Sequence, residues 1–207
     1  QNTGVLSLGR PGTTELSELG TPLGMESKEI TDDQISASSE WESPGWPRAE
    51  CRAALGRLNC LEGMAGCWIA NDLNDEWLEI DLRGLVKLTG VATQGRGHTR
   101  DGIYEQWVTA YEVHTRRSKR DKWVLRGGQL AGNTDAATAV GHRFEEPPEC
   151  RFVRVHPTAW FEHVSMRIEL YGERLPDPAP GEEEEPEEEG AAKEGKEGEE
   201  EEEEGGA

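Results

Sequence analysis

Apolar residues recur at every second position in several short runs of this chain, and the clearest is Leu78-Glu79-Ile80-Asp81-Leu82. Successive side chains of an extended backbone point to opposite faces. Leu78, Ile80 and Leu82 therefore share one face, Glu79 and Asp81 take the other, and the pattern predicts a half-buried strand. Gly84 breaks the run, and residues 86–94, with Val86, Leu88 and Val91, predict a second strand. Gly95, Gly97 and Gly102 follow closely and make regular pairing unfavourable, so a loop carried by the sheet is expected there. Residues 107–116 alternate again, with Val108, Ala110 and Glu112 on one side and Thr109, Tyr111, Val113 and Thr115 on the other. Residues 116–121 read as a charged hairpin turn leading into Lys122-Trp123-Val124-Leu125. The pairs Gly127-Gly128 and Gly132-Asn133 bracket a further turn-rich span. Residues 151–156 alternate until Pro157, which is expected to end them, and residues 164–170 give the last strand.

No long amphipathic helix interrupts these runs. Residues 48–59 are expected to be loop or a single helical turn through Ala53, Ala54 and Leu55, because Gly56 cuts them short. Residues 34–39 read as a short strand that emerges into Trp41-Glu42-Ser43-Pro44-Gly45-Trp46-Pro47, where two prolines and a glycine prevent pairing. Trp41 and Trp46 thus sit on a loop, either closing over the core or offering an indole to a ligand. About eight short β segments separated by turn signals predict an all-β fold, an antiparallel sandwich or jelly roll.

Composition divides the chain. Residues 177–207 hold sixteen acidic residues and two lysines, which is −14 of the total charge of −20. With only a few alanines as apolar residues, that tail cannot offset its ordering entropy and is expected to be disordered. Residues 1–20 mix Gly, Ser, Thr and Leu without period and read as a linker. No run approaches a membrane span, and the first residues carry no signal pattern, though a chain opening on Gln1 need not show one. The folded portion keeps a charge of about −6 by the same count and lacks a basic stripe, which argues against nucleic acid as a partner.

The loop after Gln94 concentrates groups able to touch a ligand: Arg96, His98, Arg100, Asp101, Tyr104 and Glu105. A polar loop on a rigid β scaffold favours recognition over chemistry. The histidines nearest a carboxylate, His156 and His163 beside Glu162, fall in or next to strands. No nucleophile elbow, phosphate loop or metal-ligand spacing appears, so no enzyme and no cofactor are expected. Asn133 and Asp135 are side chains that could serve a structural calcium. Cys51, Cys60, Cys67 and Cys150 are an even number without a CxxC pair. Two disulfides in one of three connectivities are expected over buried thiols, which suits an extracellular setting.

Taken in order, LGMESKEITDDQISASSEW, GRLN, EWLEIDLRGLVKLTGVATQGR, YEQWVTAYEVHT, RFVRVHPTAW and MRIELYGE resemble a discoidin domain of the coagulation factor 5/8 C-domain type. The resemblance covers residues 21–174, leaving 1–20 as linker and 175–207 as the acidic tail. It implies an eight-stranded antiparallel jelly-roll β-sandwich of the galactose-binding-like type. It also implies an extracellular, secreted or surface-anchored, non-catalytic module whose loops at one end bind carbohydrate, matrix protein such as collagen, or anionic phospholipid. Trp41 matches a first-loop tryptophan that contacts collagen in the discoidin-domain receptors, Arg96 matches their second-loop arginine, and Glu105 matches an acidic partner further along. Residues 158–163 match the last loop, in a form closer to the discoidin lectins. The expected ligand contacts are Trp41, Trp46, Arg96, His98, Glu105 and Trp160, with glycan or matrix protein as the leading partner and a phospholipid surface as the alternative. The resemblance breaks at the cysteines, since Thr21, Met166 and Glu173 stand where relatives place theirs. The expected pairing is Cys51 with Cys60 and Cys67 with Cys150.

Overall fold

The computed structural model describes residues 12–42, 44–45, 51–99 and 102–176. The strands are β1 (Ile35–Ala37), β2 (Trp68–Ile69), β3 (Leu78–Gln94), β4 (His98–Thr99), β5 (Gly102–Ile103), β6 (Trp107–Arg116), β7 (Val124–Ala131), β8 (Val140–Arg143), β9 (Glu149–Phe161) and β10 (Ser165–Arg174). Eight of them form one hydrogen-bonded antiparallel system, and β4 pairs with β5 as a separate two-stranded hairpin. β3 organises the rest. Its first half pairs with β1 and β9, its second half with β10 and β8, and β6 and β7 extend the β9 side. The two halves of β3 thereby belong to the two layers of a sandwich, and the all-β jelly roll expected from the sequence is the fold observed.

The expected break at Gly84 is a bend inside one long strand. Arg83 takes a left-handed φ of +66°, and its N–H donates to Asp81 Oδ1 at 2.8 Å. The register with β9 then jumps from Asp81 to Val86, which lets the strand pass from one layer to the other. Leu78, Ile80 and Leu82 before the bend and Val86, Leu88 and Val91 after it are all fully buried. They meet β9 and β10 residues such as Val153, Val155, Ile168 and Leu170 in one core. Burial of this kind stabilises by roughly 25 cal/mol per Å² of apolar surface.

Three local expectations give way to the ladder. In β6 register shifts around Ala110 break the simple alternation, so Val108 and Tyr111 both point inward. The glycines at 127 and 128 do not turn the chain but form a bulge within β7, each at φ +70°, opposite a register shift between Glu112 and Val113. β9 runs through Pro157 to Phe161. Its pairing with β3 stops at Val155, and Pro157 lies opposite Tyr111 at an irregularity in the β6 ladder, so the missing N–H falls at a bulge near an open edge.

The sequence boundary at Thr21 falls inside the fold. Thr14 bridges Gly141, Leu16–Glu18 form one 3₁₀ turn, and Leu19, 1% exposed, packs with Leu58, Ala92 and Tyr171. Residues 12–20 are therefore part of the domain rather than linker. On the other side Leu175 N–H donates to Leu85 O at 2.9 Å. The tail expected to be disordered, beyond residue 176, and the first eleven residues lie outside the described residues.

Neither expected disulfide forms. Cys60, Cys67 and Cys150 are free and buried. Cys150 sits opposite Val86 in the β3 ladder, whereas the electrostatic neighbours of Cys67 are Cys51, Cys60, Arg96 and Arg167. Burial pushes the Cys67 thiol up to about 12, against the pull of Arg96 and Arg167, and pushes Cys150 likewise to about 12 against Arg126.

Candidate functional site

Three connections converge where β3 ends, β6 begins, β9 ends and β10 begins. The first follows β1. Ser39 Oγ donates to Glu76 Oε2 at 2.7 Å, Trp68 Nε1 donates to Ser39 O at 2.9 Å, and Trp41 N–H donates to Ile69 O at 2.9 Å. Small hydroxyl residues at 38 and 39 thus tie the loop to the buried Glu76. Trp41 packs on Cys51, Ala65, Cys67 and Ile69, and its ring meets His163 edge-on with centroids 5.1 Å apart.

The second connection joins β3 to β6. Its ends are closed by Arg96 N–H to Gln106 O at 2.9 Å, and Arg96 Nη1 donates to Gln106 Oε1 at 3.0 Å. The Arg96 guanidinium carbon lies 3.7 Å from the Tyr104 ring centroid, and the residue is only 5% exposed. Arg96 consequently stands beneath the loop as a support, with Tyr104 over it and Glu105 exposed beside it.

The third connection is the turn between β9 and β10. Trp160 is opposite Val108 and leans half-buried on the core, while Phe161 is 41% exposed and stacks on Trp107 with centroids 4.3 Å apart and planes 14° from parallel. Glu162 adopts φ +60° and His163 N–H donates to Phe161 O at 2.7 Å, a tight turn that aims residue 163 at Trp41. Ser165 Oγ donates to Gln106 Oε1 at 3.2 Å and joins the second and third connections. Between them opens a shallow cleft of about 590 Å³ lined by Tyr104, Glu105, Gln106, Phe161 and Glu162.

Of the residues expected to contact a ligand, Trp41, Arg96, Glu105 and Trp160 are gathered at this one end. Among those whose side chains are described, only Glu105 lines the cleft. The Trp46 position lies outside the described residues, as do the His98 side chain, Arg100 and Asp101. Sequence reasoning passed over Trp107, Phe161 and Glu162, because ending β9 at Pro157 hid the stacking of its last residue on the first residue of β6. The calcium candidates serve the β7–β8 turn. Asn133 Oδ1 accepts from Thr93 Oγ1 and its Nδ2 donates to Thr93 O and Thr138 O, while Asp135 Oδ1 accepts from the N–H groups of Ala137 and Thr138. His156 lies on the outer sheet face beside His114, centroids 4.7 Å apart, and is drawn down to about 4 by burial, then by His114 and Arg154.

An eight-stranded antiparallel β-sandwich that gathers its loops at one end is the architecture of the galactose-binding-like class. Within that class the chain belongs to the F5/8 type C, or discoidin, domain family, whose sequence profile matches residues 34–170. It is 35% identical to human neuropilin-2 over 167 residues, covering 77% of this chain and 17% of that protein. It is 33% identical to mouse retinoschisin over 156 residues, covering 72% of this chain and 66% of that one, and 32% identical to dog coagulation factor VIII over 173 residues, 80% and 7%. The chain thus spans a small part of neuropilin-2 and factor VIII and about two thirds of retinoschisin. Among solved structures, discoidin II of Dictyostelium discoideum superposes with a TM-score of 0.59 at 22% identity, covering 69% of this chain and 56% of that one, which is likeness of fold.

Proposed function

We propose that this chain is an extracellular adhesion module that recognises a glycan or a matrix protein through the loops at one end of its sandwich. The observation that carries the reading is the cleft itself. Tyr104 and Phe161 offer aromatic surface, Glu105 and Glu162 offer acceptors, and Arg96 and Trp107 hold the two rings from behind. Aromatic faces cover the apolar side of a sugar ring or a proline-rich strand, while carboxylates grip hydroxyl and amide donors. The thiols at Cys67 and Cys150 suit an oxidising setting despite being unpaired, because burial removes both access and thiolate character.

A screen of the full 207-residue chain against a glycan array and triple-helical collagen peptides tests the reading, repeated with Glu105→Ala and Phe161→Ala. The expected result is retention of one ligand class that falls at least about tenfold in each variant, the cost of one lost anchor in a small interface. Undiminished retention in both variants would remove the cleft. Sedimentation with phosphatidylserine vesicles but with no glycan or peptide would replace the reading with attachment to anionic phospholipid.

A further inference from the structure

Arg167, on β10, is 3% exposed, and its guanidinium reaches three separate connections at once. Nε donates to Gly95 O at 2.7 Å, Nη1 to Cys60 O at 3.2 Å, and Nη2 to Ala136 O at 3.1 Å. These carbonyls belong to the segment before β2, the loop after β3 and the turn between β7 and β8. Among the described residues no carboxylate pairs with it. Its charge is balanced by carbonyl dipoles alone, and burial draws its pKa below the usual guanidinium range while Cys67 and Cys60 act the other way. An apolar side chain would fill such a place without that desolvation penalty. A planar fork with donors in three directions is what distinguishes arginine here.

The loop is fitted closely around it. Gly97 has φ +70°, and a Cβ there would stand 2.7 Å from Arg167 Nη2. A Cβ at Gly95 would stand 2.6 Å from Trp107 Cβ and 2.9 Å from Ala136 Cα. Arg96, which supports Tyr104, lies between these two glycines.

We propose that Arg167 is the positioning residue of the recognition end: its three-way fork fixes residues 95–97, and through Arg96 the Tyr104 wall of the cleft, without touching the ligand. This rests on the cleft being the recognition site only for its consequence in binding. The mechanical part stands separately.

The test is amide hydrogen exchange by NMR on the full chain, comparing wild type with Arg167→Met, Arg167→Lys and Gly97→Ala. Two amides are read. Arg96 N–H bonds Gln106 O inside the loop, and Leu88 N–H bonds Pro148 O in the sheet. The expected result is at least tenfold faster exchange at Arg96 in all three variants with Leu88 unchanged. In parallel, binding to an immobilised triple-helical collagen peptide and to an immobilised galactose glycan is measured, and whichever wild type binds is weakened at least fivefold. Unchanged Arg96 exchange in Arg167→Met and Gly97→Ala, equal acceleration at Leu88, or full restoration by Arg167→Lys would overturn the fork. Should Arg167→Met fail to fold, Arg167→Lys, which keeps the charge but cannot reach three carbonyls in three directions, decides: faster Arg96 exchange supports the fork and unchanged exchange overturns it. Failure of wild type to bind either probe counts against the functional reading and leaves the exchange result to judge Arg167.

Discussion

The guanidinium of Arg154 lies 4.0 Å from the centroid of the Trp77 ring, so a charged residue of β9 covers an indole at the entrance of β3. The same guanidinium stands 4.4 Å from Trp123, Arg116 stands 4.2 Å from the Trp123 ring, and Glu79 receives both arginines. The outer face of this layer is therefore an ordered ladder of alternating cations and rings. Its polar atoms are held in low exposure, Glu79 at 14%.

Removing the carboxylate that both arginines share leaves two half-buried cations without it. Glu79→Ala is expected to destabilise the domain by about 1–3 kcal/mol, the cost of stranding charged partners. Urea denaturation measures this, and a loss within about 0.5 kcal/mol, the range of an ordinary surface substitution, would mean that the ladder is decorative.

His156 supplies a pH dependence. Its folded pKa is lowered to about 4 while an unfolded histidine titrates near 6.5. Between those values the unfolded chain binds a proton that the folded chain does not, so stability rises with pH across that window. The contribution is complete above about 6.5 and is lost as pH falls toward about 4. His156→Gln should flatten the stability profile between pH 7 and pH 4 relative to wild type. A ¹H NMR titration placing the wild-type imidazole near its ordinary value would contradict the assignment.

The cysteines should be silent until the fold opens. Native protein mixed with a disulfide-exchange reagent is expected to show no labelling at Cys67 or Cys150 and only slow labelling at Cys60, which is 9% exposed. In urea these three should label at once. A Cys67–Cys150 peptide in a non-reduced digest would contradict the separate surroundings of those two residues.

Arg96 gives a prediction that separates support from contact. Arg96→Ala removes the bond to Gln106 and the stack under Tyr104, so it is expected to cost about 1–3 kcal/mol of stability as well as binding. Glu105→Ala, at an exposed position, is expected to change stability by under about 0.5 kcal/mol while weakening binding. Equal stability losses in the two variants would erase the distinction.

Period-two alternation in residues 78–82 made a core strand legible, because a sheet with one buried face imposes that pattern; in residues 164–170 the same alternation sorts apolar from polar side chains although both faces are buried. The glycines after Gln94 likewise announced a loop on the sheet. Where the reading failed, a local rule met a ladder that tolerated its violation. Pro157 lost no β3 partner, Gly127-Gly128 became a bulge, and residues 12–20 found a groove for Leu19. Sequence carries residue type and spacing but not depth, so it did not show that Arg96 is 5% exposed beneath the Tyr104 ring.

The alternation and glycine placement by themselves determined an all-β domain with a polar loop carried by the sheet, since each follows from neighbours along the chain. Tertiary structure alone decided that Phe161 meets Trp107, that the Cys67 and Cys150 thiols lie apart, and that Arg167 draws three loops to one point. Those contacts join residues far apart in sequence, and their energies depend on burial and orientation that exist only once the two layers have closed.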